Sequence, residues 1–165
     1  MAGSDQRIAN LTLDDGSVVY RSRDVEHERT VAIYDLLEQN RFAPVSGVEG
    51  PFDLHLGIEE NRIVFDIRDA AGAAVDCLRL PLGSLRRVIK DYFIVCESYF
   101  EAIKSAGRPR IEALDMGRRG LHDEGAAILR RRLETKAEID NDTARRLFTL
   151  VCVLHIRGTA DTNGY

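Results

Sequence analysis

The sequence predicts an α+β fold: a small antiparallel β-meander packed against one long helix and a C-terminal set of helices. Three observations carry this. From Phe52 to Leu80, three runs show the strand-like alternation of apolar and polar residues, separated by short turns, which is the signature of consecutive hairpins. From Leu85 to about Ser105 the apolar period changes to three and four, as on one face of a helix. Beyond Pro109 helical spacing continues, with helix-start and helix-stop signals between the segments. The order β, α, β-meander, then helices does not match a doubly wound sheet, and neither GxGxxG nor GxxxxGK[ST] occurs.

Taken in order, Arg7 to Leu13 alternates, with Ala9, Leu11 and Leu13 on one side, and Asp14-Asp15-Gly16 ends this short strand. Asp24 can cap a helix over about 25–40, whose stripe is Val25, Ala32, Ile33, Leu36 and Leu37. FAPVSGVEGP, from Phe42, reads as a loop. The meander follows: Phe52, Leu54, Leu56 and Ile58; then Ile63, Phe65 and Ile67; then Ala73 to Leu80, with turns at Glu59-Glu60-Asn61 and Asp69-Ala70-Ala71-Gly72. Ser84 is placed to cap the long helix, and Gly107 and Pro109 end it. Pro109 starts a short helix through Leu114 and Met116, which Gly117 or Gly120 breaks. A further helix holds Leu121, Ile128, Leu129 and Leu133. Asp140 or Asp142 caps the last, which carries LFTLVCVLHI.

At 165 residues, 44% hydrophobic and 30% charged, the chain suits one globular domain with a single core, and residues 1–6 and 158–165 read as flexible ends. Cys77, Cys96 and Cys152 are far apart, each in an apolar run, and are expected to be buried free thiols in a reducing cytosol. No signal-peptide pattern and no membrane-length apolar run occurs, so the expected location is cytoplasmic, with no membrane partner. Lys104 to Arg157 carries a formal charge of +4 and the remainder −8. That asymmetry allows a basic face for an anion or protein partner, but falls far below a nucleic-acid-binding footprint.

The stretch DMGRRGLHDEGAAI, residues 115–128, is the main candidate site. Arg118 and Arg119 between two glycines could fork onto a phosphate or carboxylate, or could pair with Asp115, Asp123 or Glu124. His122 beside Asp123 and Glu124 could belong to an acid–base pair, although adjacent helical residues point apart. Glu26-His27-Glu28 lacks the spacing of a zinc motif and has a bland explanation in the helix dipole, unless His27 meets His122 across the fold. Cys152 and His155 could share a helix face as a thiolate–imidazole pair or be ordinary core. Arg86, Arg87 and Lys90 near a helix start oppose its dipole. With Arg118, Arg119, Arg145 and Arg146 they could line a cleft.

Five runs occur together in order: DVEHERTVAIYDLLE, VFDIRD, LRRVIKDYFIVCESYFEAI, PRIEALDMGRRGLHDEGA and DTARRLFTLVCVLHIRG. With these the chain resembles the uncharacterised protein family numbered 0262, typical of alphaproteobacteria, over roughly residues 7–158. The resemblance implies a small single-domain cytosolic protein and carries over no activity, cofactor or catalytic residue. Two functions are therefore weighed. One is a binding or regulatory protein with a basic face for an anion or a protein partner. The other is a small enzyme acting on an anionic metabolite around Arg118, Arg119, His122 and Glu124. The absence of a catalytic constellation favours the first. Cofactor and oligomeric state stay open.

Overall fold

The computed structural model describes residues 5–14, 23–83 and 85–163, and the side chains of 5–14, 25–83 and 85–155. Ser84 and the Asp24 side chain, both expected as helix caps, and the Asp15-Gly16 turn lie outside these. The elements are β1 (Ile8–Leu13), α1 (Arg23–Glu38), β2 (Phe42–Pro44), β3 (Phe52–Glu59), β4 (Arg62–Asp69), β5 (Ala74–Pro81), α2 (Leu85–Ser105), α3 (Arg108–Leu133), β6 (Ala137–Ile139) and α4 (Asn141–Asn163).

The expected α+β arrangement is observed. β3, β4 and β5 form the antiparallel meander, and β1 joins its β3 edge in parallel. The β3–β4 turn has positive φ at both Glu60 and Asn61, the backbone twist that suits a two-residue hairpin. One face of the sheet is core: Phe52, Leu54, Leu56, Ile63, Phe65, Ile67 and Leu78 are buried. Helices cover that face, with α4 against β3 and α1 against β1, and the buried stripe of α2 completes the same core.

In β1 the inward side differs from the expected one. A register shift between Ile8 and Asn10 inserts Ala9, so Ile8, Leu11 and Leu13 face Phe52, Leu54 and Leu56. Asn40 satisfies the strand's edge. Its Oδ1 accepts from Ile8 N at 2.7 Å, and its Nδ2 donates to the carbonyls of Ile8 and Leu36.

Three further expectations are corrected. Phe42–Pro44, read as loop, is a strand paired with β6, a three-residue strand that sequence analysis missed. Phe42, Ala137 and Ile139 are buried around the exposed Glu138, but a three-residue alternation is too short to register as periodic. Cys77 is exposed, because it sits on the outward side of edge strand β5 opposite Asp66. Cys96 and Cys152 are buried as expected.

The largest correction concerns residues 115–128. They do not form a turn: α3 runs unbroken from Arg108 to Leu133 through Gly117 and Gly120. Helical backbone is open to glycine at about 1 kcal/mol per residue relative to alanine. The contacts of α3 with α2 and α4 outweigh that cost. Pro109 does lie in the first turn of α3, after Gly107. Asp140 caps α4, its Oδ1 accepting from Thr143 N at 2.9 Å, and the backbone of that helix continues to Asn163.

Candidate functional site

Three helices present polar faces to one cleft of about 460 Å³. Each face follows helical spacing of three and four. From α1 come His27, Glu28, Val31, Ala32 and Asp35. From α3 come Arg118, Arg119 and His122, and from α4 Asp142, Arg145, Arg146 and Thr149, with Tyr92 of α2 between them. The volume is that of a small-molecule site.

Asp115 organises the α3 face. Its Oδ1 accepts from Arg118 at 2.6 Å, and its Oδ2 pairs with Arg119 at 2.8 Å. The Arg118 hydrogen bond, reinforced by the two guanidinium charges, holds the Asp115 carboxyl below its usual value. One carboxylate therefore serves two cations. The Arg118 side chain is only 28% exposed and lies over the Tyr99 ring at 5.0 Å, whereas Arg119 is 68% exposed. Arg118 Nε is buried without a hydrogen-bond partner. Across the helix pair Asp123 binds Arg145. The expected pairing of these arginines with neighbouring carboxylates is thus present.

His122 is wedged between aromatic rings, with centroids 5.5 Å from Tyr92 and 5.4 Å from Phe148. Its Nε2 lies 2.7 Å from Thr149 Oγ1. That hydroxyl donates its one proton to the Arg145 carbonyl at 3.2 Å, so it accepts from His122 Nε2–H. This leaves Nδ1 as a buried lone pair without a partner. Burial first, then the positive charge of Arg145, push the imidazole down to about 4; Asp123 opposes them, and Arg118 adds a smaller push. His122 is therefore neutral at pH 7 and too weak a base to take a proton there.

Tyr92, Cys96, Cys152 and His155 are also held uncharged. Burial, then the Glu28 charge, pushes the Tyr92 hydroxyl up, and the same two causes push Cys96 up to about 11. Burial raises the Cys152 thiol well above its usual value and lowers His155, so the suspected pair holds neither a thiolate nor an imidazolium.

The cleft brings together much, but not all, of the candidate set. Arg118, Arg119 and His122 line it, and so does His27, which the sequence could place only conditionally. Arg145 and Arg146 join them as expected of an arginine-lined cleft. Arg86, Arg87 and Lys90 lie outside it, where Arg87 pairs with Asp91 at 3.9 Å. Glu124 is exposed on α3 and does not line the cleft. Glu97 lines a separate depression with Arg110. Sequence reasoning missed Asp35, Asp142, Thr149 and Tyr92. The polar stripes Glu28/Asp35 and Asp142/Arg145/Arg146/Thr149 could have revealed three of them. Among the described residues no cluster of three His, Cys, Asp or Glu side chains could hold a metal ion. None of the described helices is long and apolar enough to cross a membrane.

Relatives share this architecture's sequence almost end to end. A UPF0262 protein of Azorhizobium caulinodans is 56% identical over 154 residues, covering 92% of this chain and 95% of the relative. One of Rhodopseudomonas palustris strain TIE-1 is 54% identical over 155 residues, covering 94% and 95%. One of Nitrobacter winogradskyi is 52% identical over 157 residues, covering 95% and 94%. No solved structure matches the chain. The family model described as "Uncharacterised protein family (UPF0262)" matches residues 5–157, and the chain belongs to that family.

Proposed function

We propose that this chain is a binding protein whose α1/α3/α4 cleft holds a small anionic molecule. The observation that carries the reading is the convergence of Arg118, Arg119, Arg145 and Arg146 on one cleft, with Arg146 outside every salt bridge among the described residues. An arginine that spends no charge on a neighbour is available to a carboxylate or phosphate. The enzymatic alternative has less support. Glu124, one of the four residues of that reading, is outside the cleft, and His122 is held neutral with a weakly basic nitrogen.

The test is calorimetric titration with a panel of small phosphates and carboxylates, beside native mass spectrometry of the purified protein. Binding by at least one anion is expected, weakened about tenfold or more in Arg146→Ala, as for loss of one charge-assisted hydrogen bond. Arg87→Ala, outside the cleft, should bind like the parent. Failure of every anion to bind, or equal affinity in Arg146→Ala, overturns the reading.

A further inference from the structure

The cleft is not uniformly basic. Its α3 and α4 walls carry the four arginines, while its α1 wall carries Glu28 and Asp35. Asp35, like Arg146, enters no salt bridge among the described residues, although the two line the same space. Opposite charges on long or mobile side chains close onto each other when the geometry allows. Here α1 and α4 pack together and both residues line one cleft, yet Asp35 and Arg146 form no salt bridge. The Asp115 and Asp123 carboxylates already balance part of the arginine charge. A ligand bearing only negative charge would therefore meet repulsion from Asp35.

We propose that the ligand is a zwitterion, with its anionic group on the arginines of α3 and α4 and its cationic group on Asp35 and Glu28 of α1. This rests on the anion-binding reading and narrows its ligand class. A small molecule with an ammonium a few bonds from a carboxylate or phosphate spans the two walls and satisfies both charges at once. His122 fits the same role. As a neutral, ring-packed side chain it adds no cation to compete with the ligand's own. Asp142, on the arginine wall, is three and four residues from Arg145 and Arg146, on the same face of α4.

Matched pairs of probes separate this from simple anion binding. Glutamate is compared with glutarate, and O-phosphoethanolamine with ethyl phosphate, by calorimetry on the full chain. In at least one pair the zwitterion is expected to bind about tenfold more tightly than its partner. The pair that shows the preference tells whether the anionic group is carboxylate or phosphate. Asp35→Asn should abolish the preference while leaving affinity for the simple anion unchanged or slightly raised, and Glu28→Gln should reduce it. Circular dichroism checks that both variants keep the parent fold. Equal binding within both pairs overturns the zwitterion and leaves the anion reading standing. A preference that survives both substitutions overturns the assignment to α1. No binding by any probe, and none by the wider anion panel, overturns both.

Discussion

Two long helices, α2 and α3, pack side by side and are built on opposite plans. α2 buries a continuous stripe from Leu85 through Val88, Ile89, Tyr92 and Cys96 to Ala102. α3 is longer, at 26 residues, but its buried positions are confined to Gly125, Ala126, Leu129 and Leu133 near its C-terminal end. Its first half meets the protein chiefly through α2 and through charged side chains organised by Asp115. α2 is thus held by burial, whereas the cleft-lining part of α3 is held by polar pairing and ring contacts. A helix of the second kind can present arginines and a histidine to a ligand. α2 gives its buried stripe to the core and contributes Tyr92 alone to the cleft.

The sharpest way to break this contrast is through His122, where the polar face of α3 meets the core. Folded His122 stays neutral down to about pH 4, against an ordinary histidine value of 6.5. Between those values the unfolded chain binds the extra proton, so stability falls as the pH is lowered through that window. The loss is about 3 kcal/mol in all, with none added above or below it. Urea titrations at intervals from pH 7.5 to 4 should show this slope, and His122→Gln should flatten it while leaving the contribution of the carboxylates. The difference between the two proteins isolates the histidine, since Asp115 lowers stability in acid in both. Identical curves would mean that His122 is not buried neutral.

A second, smaller effect tests a tight contact between α3 and α4. A Cβ added at Gly125 would overlap the ring of Phe148, itself fully buried. Gly125→Ala should destabilise the fold by about 1–2 kcal/mol: overlap with a fully buried ring takes the upper part of the overpacking penalty, ~2–3 kcal/mol, less a helix-propensity gain of ~1 kcal/mol. Thermal unfolding reads it directly. A variant as stable as the parent would show that α3 and α4 are not held this close.

These helices also show where the sequence was legible. The stripe of α2 and the alternation of β3, β4 and β5 each repeat over many residues, so pattern alone located them. Ala9 defeated the same reading in β1, because a bulge shifts the phase within a six-residue strand. β2 and β6 are too short for any period, and their pairing joins residues 42–44 to 137–139. In the site, residues sharing one helix face were readable in principle: Arg118, Arg119 and His122 were picked out, and so were Arg145 and Arg146. What joined them to His27, and added Asp35, was the contact of α1 with α4, a tertiary fact that no local pattern carries.

Gly117 and Gly120 give the smallest effect, and the one whose sign decides most. Two glycines flanking two arginines read as a break because glycine commonly ends helices, where it adopts positive φ. Neither residue does so here. The glycines with positive φ among the described residues are Gly47, Gly72 and Gly83. A Cβ at Gly120 meets nothing within 4 Å, and one at Gly117 reaches only Val95 Cγ1, at an ordinary 3.8 Å. In a turn with left-handed backbone, alanine at either position would destabilise. In the continuous helix it should stabilise by about 0.5–1 kcal/mol, because it lowers the entropy that glycine loses on folding. Gly120→Ala is the cleaner of the two, with no neighbour to displace, and Gly117→Ala should follow it with an equal or slightly smaller gain. Chemical denaturation resolves a change of this size. A loss of stability in Gly120→Ala would restore the turn and separate the arginines from His122. A gain would show that α3 carries all three side chains to the cleft on one rigid face.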